Sequence, residues 1–279
     1  MSAAAPIPVT TATVASADGT VIGYHTVGQG PAVIVVGGAM RAAEDYLPLA
    51  RGLAERYRVH VLDRRGRGLS GPQGPHYGIA RECEDLLAVQ AATGARAVFG
   101  HSYGGLVALE TAARSEAFEA MVLYEPAVSI RGSIPTAWMT PYRALLDRGD
   151  TRGAFACFVR AFGEGAIARL PQWYLRAVLR CVFRKRRWEE RYEPLLATNL
   201  AEHEQVAACA DHVASYRAIT ARLLVLGGSR SPAFMISLPL AGLQQTVSHM
   251  TGNIIDGLDH FAPDDKAPEV VARRVLDFL

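Results

Sequence analysis

The chain has 279 residues, with 29 basic and 27 acidic side chains, half of its residues hydrophobic and only 20% charged. A net charge of +2 provides no broad basic field for nucleic acid, and so apolar a composition excludes a disordered chain. No apolar run reaches the roughly 18 residues of a membrane span, and residues 1–20 lack the features of a signal peptide, so we expect a cytoplasmic protein that binds neither nucleic acid nor a membrane.

Short apolar runs bounded by Gly, Pro and Asp recur along the chain and have the pattern of β-strands. They lie at residues 9–14, 21–27, 32–36, 59–62, 95–99, 120–124, 223–226 and 251–255. Stretches with helical spacing separate the later runs and lie at residues 43–56, 79–92, 103–113, 238–245 and 268–279. This alternation predicts an α/β fold, with a mostly parallel central sheet covered by helices on both faces. Only a turn signal at 17–19 separates the first two runs, which should form an antiparallel hairpin at the sheet edge.

The alternation stops between residues 129 and 217, where every patterned segment is helical. These segments lie at residues 144–146, 155–162, 173–183 and 195–203. An insertion of this length is too long for a connector. We therefore expect a core domain at 1–128 and 218–279, and an all-helical lid at 129–217, inserted after the sixth strand and lying over the carboxyl edge of the sheet.

A candidate nucleophile lies between the fifth strand and the helix that follows it. Residues 100–105 (GHSYGG) contain a G-x-S-x-G pattern in this position. A serine on such a tight strand-to-helix turn needs small neighbours, because its backbone is strained and its hydroxyl must stand clear. Gly100 and Gly104 meet that requirement, so the sequence predicts Ser102 as a nucleophile.

A serine nucleophile needs a base to take its proton as it attacks. Among the eight histidines, His260 lies just after the last strand, in residues 257–261 (GLDHF), which places it at the same edge of the sheet as Ser102. His25 and His60 lie within strands and favour structural roles. No fixed relation to the serine turn is expected for the histidines in loops or helices, namely His76, His203, His212 and His249.

With two further motifs, the chain resembles the α/β-hydrolase fold superfamily over nearly its whole length. Residues 35–39 (VVGGA) resemble the family's oxyanion loop, although its usual His-Gly is here Gly-Gly, and residues 63–70 (DRRGRGLS) resemble its D-x-R-G-x-G-x-S loop. The resemblance implies that the backbone amides of Ala39 and Tyr103 hold the oxyanion. Such N–H donors stabilise the negative charge that develops on the carbonyl oxygen only in the tetrahedral state.

The third member of the triad departs from the family pattern. The family's acid usually lies in a segment like G-D-x-D-P, and here residues 228–232 (GSRSP) place Ser231 in its position. Family members also supply the acid from the end of the sixth strand, where this chain has Glu125. Glu125 would then orient His260, or it would merely pair with an arginine at the strand end. Asp259 and Asp256 are weaker candidates for the acid.

No cofactor or metal is expected. Residues 66–71 (GRGLSG) satisfy the dinucleotide pattern G-x-G-x-x-G, but Pro72, Gly74 and Pro75 would prevent the helix that must begin there. The four cysteines, at positions 83, 157, 181 and 209, contain no C-x-x-C pair, so neither a zinc site nor a disulfide scaffold is indicated. We expect them to be reduced and mostly buried.

Two side-chain sets in the predicted lid have alternative interpretations. The basic set is either a solvated helix face or a docking site for an acidic carrier protein or a carboxylate-bearing substrate, and consists of Arg180, Arg184, Lys185, Arg186, Arg187 and Arg191. The aromatic set either packs the lid or lines an apolar acyl pocket, and consists of Trp138, Phe155, Phe158, Phe162, Trp173 and Tyr174. Together with the composition, the aromatic set favours an apolar small-molecule substrate.

These observations predict a lidded serine hydrolase that cleaves a carboxylic ester or related acyl bond through an acyl-enzyme. Serine at the nucleophile position argues against epoxide or haloalkane hydrolysis, for which related enzymes use aspartate. Because Ser231 replaces the usual acid, a non-hydrolytic activity is the alternative: lyase, cyclase, acyltransferase or thioesterase chemistry on a carrier-bound substrate, or cofactor-free peroxide chemistry. A binding or receptor protein without turnover is a third hypothesis, and the intact Ser102 and His260 argue against it.

Overall fold

A computed structural model describes residues 7–163 and 166–279. The first six residues of the predicted core domain, and positions 164–165 of the predicted lid, lie outside the described residues. None of the described helices is both long and apolar enough to cross a membrane. All four cysteines are free thiols, of which Cys181 is exposed and the other three are buried.

The centre of the molecule is an eight-stranded sheet. Its strands are β1 (Val9–Ala15), β2 (Val21–Val27), β3 (Ala32–Val36), β4 (Arg58–Leu62), β5 (Ala97–His101), β6 (Ala120–Tyr124), β7 (Arg222–Gly228) and β8 (Met250–Ile255). They are arranged in the order β1-β2-β4-β3-β5-β6-β7-β8, and β3 to β8 are parallel. β1 pairs antiparallel with β2 at the edge, and β2 pairs antiparallel with β4. The mostly parallel sheet and the edge hairpin are therefore confirmed.

The described part of the chain contains eleven α-helices. They are α1 (Leu47–Leu53), α2 (Ile79–Thr93), α3 (Tyr103–Ala112), α4 (Met139–Leu146), α5 (Thr151–Phe162), α6 (Ala166–Arg169), α7 (Gln172–Val182), α8 (Lys185–Arg187), α9 (Leu195–Ala208), α10 (Ala233–Thr246) and α11 (Pro268–Phe278). Short 3-10 helices lie at Ala43–Tyr46 and His212–Ala218, and π-helical turns at Trp188–Tyr192 and Ala262–Lys266.

Two hydrophobic cores lie on opposite faces of the sheet. Because side chains alternate along a strand, Val33 and Val35 face one core while Ile34 and Val36 face the other. The first of these cores contains residues of α1 and α11, and the second contains residues of α2, α3 and α10. Helices therefore cover both faces, which confirms the predicted fold class and explains why the central strands are continuous apolar runs.

The described chain between β6 and β7 contains helices α4 to α9 and no strand. It has a core of its own, which includes Trp138, Tyr142, Trp188 and Leu196. An all-helical insertion after the sixth strand is thus present in the structure. The exact domain boundaries at 128/129 and 217/218 stay a prediction.

Several predicted elements differ in extent from the observed ones, among them the following three. The helix expected at 43–56 is divided into a 3-10 helix and α1, because Pro48 lacks an amide hydrogen and fits only in the first turn of a new helix. The strand expected at 95–99 is β5, which continues to His101 as it pairs with β6. The helix expected at 238–245 is α10, which begins at Ala233 and contains Pro239.

Protonation of His60, on β4, should destabilise the protein in mild acid. Its side chain is buried, with Nδ1 2.9 Å from Thr26 Oγ1 and no partner for Nε2, and burial together with Arg58 lowers its pKa to about 4. Since the unfolded chain takes up this proton near pH 6.5, stability is full above that value and is lost as the pH falls towards 4. Between pH 7 and 4.5 we expect a loss of about 2 to 3 kcal/mol.

Urea unfolding at the two pH values, compared with the same measurement on His60→Phe, isolates this contribution because other titrating groups are common to both proteins. The variant should lose correspondingly less stability on acidification. An identical pH dependence in the two proteins would rule out His60 as its source.

Candidate active site

The backbone of Ser102 is strained by the turn that carries it. β5 ends one residue before this serine and α3 begins one residue after it, and its φ of 53° lies in the left-handed region. A Cβ on Gly104 would lie 2.2 Å from the carbonyl oxygen of Val36, and one on Gly100 would lie 2.7 Å from Cα of Gly105. The glycines let the turn pack this closely, and the packing holds Ser102 with its side chain at a cavity.

A buried carboxylate contacts the candidate base. Glu125 follows β6, is 3% exposed, and has its Oε2 2.7 Å from Nδ1 of His260. Its other oxygen accepts a hydrogen bond of 2.8 Å from the amide of Gly228. No arginine pairs with Glu125 in the described ion pairs, in contrast to the alternative considered from the sequence. A carboxylate so placed accepts a hydrogen bond from the Nδ1–H group of His260, which leaves Nε2 as the atom that can take up a proton.

Ser102 and His260 line the same two cavities, although no hydrogen bond joins their side chains in the described contacts. Such contacts are often long in the absence of substrate and tighten when it binds. The structure thus brings the three predicted triad residues to one site, each at the carboxyl end of a different strand. Their catalytic roles stay a prediction.

The other candidate acids are engaged elsewhere. The carboxylate of Asp259 pairs with Lys266, and that of Asp256 accepts a hydrogen bond of 2.9 Å from Ser229 Oγ. The hydroxyl of Ser231, at the family's usual acid position, is buried without a partner in the described structure. Glu125 is therefore the carboxylate whose geometry fits the third triad role.

The loop after β3 is held in place from two sides. The amide of Gly38 donates to the hydroxyl of Tyr46 at 2.8 Å, and that hydroxyl donates to Nδ1 of His101 at 2.7 Å. His101 can accept because burial and the nearby His260 lower its pKa well below the ordinary value and keep it neutral. The carbonyl of Gly38 accepts a hydrogen bond of 3.0 Å from Arg64. Sequence reasoning missed Tyr46 and His101, which act through this loop.

The two predicted oxyanion residues border the site. Ala39 lines both cavities beside Ser102, and Tyr103 lines the smaller one. Tyr103 is also the first residue of α3, where a backbone amide has no acceptor within its own helix. Both positions suit donors to a developing negative charge, and the oxyanion role stays a prediction.

Two cavities of unequal size meet at Ser102. The larger, of about 440 Å³, is lined mainly by apolar side chains of the helical insertion, among them Phe155, Phe158, Phe162, Phe183 and Tyr192. The smaller, of about 30 Å³, is lined by Ala127, Ile134, Val206, Phe234 and Met235. Three of the aromatic residues singled out from the sequence thus line the cavity. Trp138 packs within the insertion instead, while Trp173 and Tyr174 are exposed.

One residue of the site was assigned wrongly from the sequence. His203, on α9, was expected to have no fixed relation to the serine turn, yet it lines both cavities together with Ser102 and His260. No local motif surrounds it. Its position depends on how α9 packs across the sheet edge, which a single helical stretch of sequence does not reveal.

The basic set of the insertion lies mostly along an open groove of about 990 Å³. Arg184, Arg186, Arg187 and Arg191 line this groove together with Glu44, Asp45 and Glu190. Ion pairs join Arg191 to Asp45, Arg186 to Glu190 and Lys185 to Glu189. These acids dilute the positive field. Binding of an acidic carrier protein at the basic set therefore stays a prediction, and this groove adds no support to it.

One cluster outside the cavities has metal-ligand chemistry. Glu110, Cys209 and His212 place candidate ligand atoms within 4.8 Å of one another. Glu110 already pairs with Arg114 at 2.7 Å and accepts a hydrogen bond of 2.9 Å from Tyr216. Burial raises the pKa of the Cys209 thiol to about 12, so the thiol is protonated at neutral pH. The hydrogen bonds and ion pair satisfy the carboxylate without an ion.

Comparison with known proteins gives concordant matches. A model of the alpha/beta hydrolase family matches residues 32–274. The 2-(acetamidomethylene)succinate hydrolase of Mesorhizobium japonicum is 22% identical over 261 residues, which cover 90% of this chain and 89% of that protein. The N-formylmaleamate deformylase of Pseudomonas putida is 34% identical over 140 residues, which cover 48% of this chain and 52% of that protein. An alpha/beta hydrolase structure from Sphaerobacter thermophilus matches with a TM-score of 0.77 and 29% identity, covering 96% of this chain and 99% of that one.

Proposed function

The chain belongs to the alpha/beta hydrolase family, and on that basis we propose that it is a serine hydrolase that cleaves a carboxylic ester or related acyl bond of a small, largely apolar substrate. The observation that carries the proposal is the 2.7 Å contact between Glu125 and His260, at a cavity that Ser102 also lines. It supplies an oriented base where the nucleophile needs one.

In the proposed mechanism, Ser102 Oγ attacks the substrate carbonyl carbon while Nε2 of His260 takes the hydroxyl proton. Glu125 stabilises the imidazolium that forms, and the amides of Ala39 and Tyr103 donate to the oxyanion. When the tetrahedral intermediate collapses, the bond to the leaving group breaks and His260 gives its proton to that group. Water, deprotonated by the same histidine, then attacks the acyl-enzyme and releases the acid and the free serine.

The unequal cavities support a substrate with one short and one bulky side. The smaller cavity, of about 30 Å³, has less than a tenth of the volume of the larger one, of about 440 Å³, so it fits only a short group. Because both proposed oxyanion residues border it, we place a short acyl group there and a larger apolar leaving group among the aromatic side chains. The names of the two curated relatives, which contain acetamido and formyl groups, agree with a short acyl group.

A fluorophosphonate probe tests the proposed nucleophile directly. Wild-type protein should be labelled on Ser102, and Ser102→Ala should not be labelled, because the probe reacts with an activated serine. Ser231→Ala is the matched control, since it removes another buried serine hydroxyl, and its labelling should persist. A folded wild-type protein that resists the probe would falsify the proposal.

A comparison of two esters tests the short acyl group. We expect p-nitrophenyl acetate to be hydrolysed faster than p-nitrophenyl octanoate, because the small cavity has no room for the longer chain.

An amide substrate is the second candidate. Both curated relatives have names that refer to compounds with an acylated nitrogen. Release of 4-nitroaniline from 4-nitroacetanilide would favour this candidate over an ester.

A non-hydrolytic activity has little support from the structure. Serine at the family's usual acid position was the reason to consider such an activity, and Glu125, which contacts His260, fits the role of that acid instead. Nitrophenyl esters left intact by a protein whose Ser102 still reacts with the probe would favour that activity again.

A further inference from the structure

We propose that His203 is a specificity residue that accepts a hydrogen bond from an N–H or O–H group of the substrate beside the bond that is cleaved. This inference rests on the proposed serine hydrolase and narrows its substrate class. It predicts that the substrates are acyl compounds with a hydrogen-bond donor next to the reacting carbonyl, such as secondary amides and compounds with a hydroxylated acyl group.

The first support is the position of the side chain. His203 borders both the 440 Å³ and the 30 Å³ cavities, as do Ser102 and His260. A group at the junction of the two cavities therefore lies beside the substrate bond that reaches Ser102. Two polar side chains outside the proposed triad line the smaller cavity, those of Tyr103 and His203. The hydroxyl of Tyr103 is already hydrogen-bonded to that of Tyr77, which leaves His203 as the candidate partner for a substrate.

The second support is that the ring is held in one orientation. Its centroid lies 5.1 Å from that of Trp138 and 5.3 Å from those of Phe158 and Phe162, in steep edge-to-face arrangements. Its Nδ1 lies 2.8 Å from the carbonyl oxygen of Asn199, one turn earlier on α9. Rotation of the ring would lose this hydrogen bond as well as the aromatic contacts, so Nε2 keeps a fixed direction.

The third support is the protonation state. A carbonyl oxygen can only accept, so Nδ1 of His203 carries the hydrogen in the bond to Asn199. Burial lowers the pKa of the ring, and the adjacent carboxylate of Glu202 is occupied by Arg64 and Arg67, so the imidazole is neutral at pH 7. With Nδ1 protonated in a neutral ring, Nε2 presents a lone pair and no hydrogen.

That lone pair has no donor among the described contacts of His203. Nε2 faces the cavity, so a ligand that fills this cavity either supplies a donor to it or leaves it unpaired among largely apolar walls, which costs free energy. Arg41 also borders the larger cavity, but its guanidinium is paired with Asp264. A site built to accept from a substrate donor discriminates against an analogue that lacks it.

The test compares acetanilide with phenyl acetate, which differ by an N–H in place of an oxygen beside the carbonyl. Both are titrated calorimetrically into Ser102→Ala, which cannot turn them over, and into Ser102→Ala with His203→Phe. The phenyl ring preserves the aromatic packing and removes the acceptor. We expect the preference for acetanilide, expressed as the ratio of the two Kd values, to fall about 10-fold on removing the imidazole.

Comparing ratios cancels the intrinsic difference between amide and ester, and a purely structural effect of the substitution would weaken both ligands alike. His249→Phe, which removes an exposed histidine, serves as the matched control and should leave the ratio unchanged. Should His203→Phe fail to fold, His203→Met gives the same comparison. An unchanged ratio, or no measurable binding of either ligand to Ser102→Ala, would overturn the inference.

The fluorophosphonate reaction separates this inference from the proposed function. With Ser102 intact, the wild type and the control His249→Phe should be labelled at similar rates, because the exposed His249 is not among the residues that line the two cavities. Labelling of both proteins, with a ligand ratio that His203→Phe leaves unchanged, would remove the specificity role alone. A wild-type protein without labelling would remove the serine hydrolase itself.

Discussion

Replacing Glu125 by glutamine should lower kcat by about 10,000-fold while KM changes by only a few-fold. The amide is similar in shape but carries no charge, so it does not stabilise the imidazolium of His260, and its NH2 group favours the wrong tautomer of the ring. Gly228 still donates to the retained oxygen, which should keep the side chain in position. Because the lost interaction strengthens only as His260 becomes charged, the effect falls on kcat.

Steady-state hydrolysis of p-nitrophenyl acetate, or of the best substrate found, measures this effect. Asp256→Asn is the matched control, since it makes the same change in a carboxylate that bonds to Ser229, and it should retain activity within about 3-fold of the wild type. A decrease of less than 10-fold for Glu125→Gln would show that the triad does not depend on this residue. After the expected large decrease, Ser231→Asp in the glutamine background tests whether a carboxylate at the family's usual position restores activity.

The elements that carry the candidate site could be predicted because each has a local signal. A serine between glycines after a strand, a histidine after the last strand and a glutamate at the end of the sixth strand all lie at strand ends. Parallel strands bring their carboxyl ends to one edge of the sheet, so such residues are gathered without knowledge of the packing. The alternation of apolar runs and helical stretches predicts the rest of the core for the same reason.

Residues that act through tertiary contacts could not be predicted in this way. Tyr46 lies at the end of a 3-10 helix that the sequence predicts as part of one longer helix, and its hydroxyl accepts a hydrogen bond from Gly38, in the loop after β3. His203 belongs to a helix whose sequence shows nothing but helical spacing. Its neighbours are Trp138, which directly precedes α4, and Phe158 on α5, so the aromatic contacts exist only after the insertion has packed.

A buried charge network joins this insertion to the core beneath the site. Glu202, on α9, pairs with Arg64 and Arg67 from the loop after β4, and Arg64 also pairs with Glu82 on α2 at 3.0 Å. Burial raises the pKa of the Glu202 carboxyl, but the two arginines outweigh it and hold the pKa below the ordinary value. Since Arg64 also donates to the carbonyl of Gly38, the network supports the loop proposed to hold the oxyanion.

Removing the carboxylate of Glu202 should therefore destabilise the protein strongly. Glu202→Leu leaves two buried arginines without one of their partners, and breaking such a pair costs about 3 to 5 kcal/mol because the remaining charge is uncompensated. Glu204→Leu, on the same helix, removes an exposed carboxylate paired with Arg143, and it should cost less than about 1 kcal/mol. Urea unfolding of both variants, followed by tryptophan fluorescence, measures the difference. Equal small losses would mean that the arginines reach water when Glu202 is removed, in which case the network would not be what couples the helical insertion to the oxyanion loop.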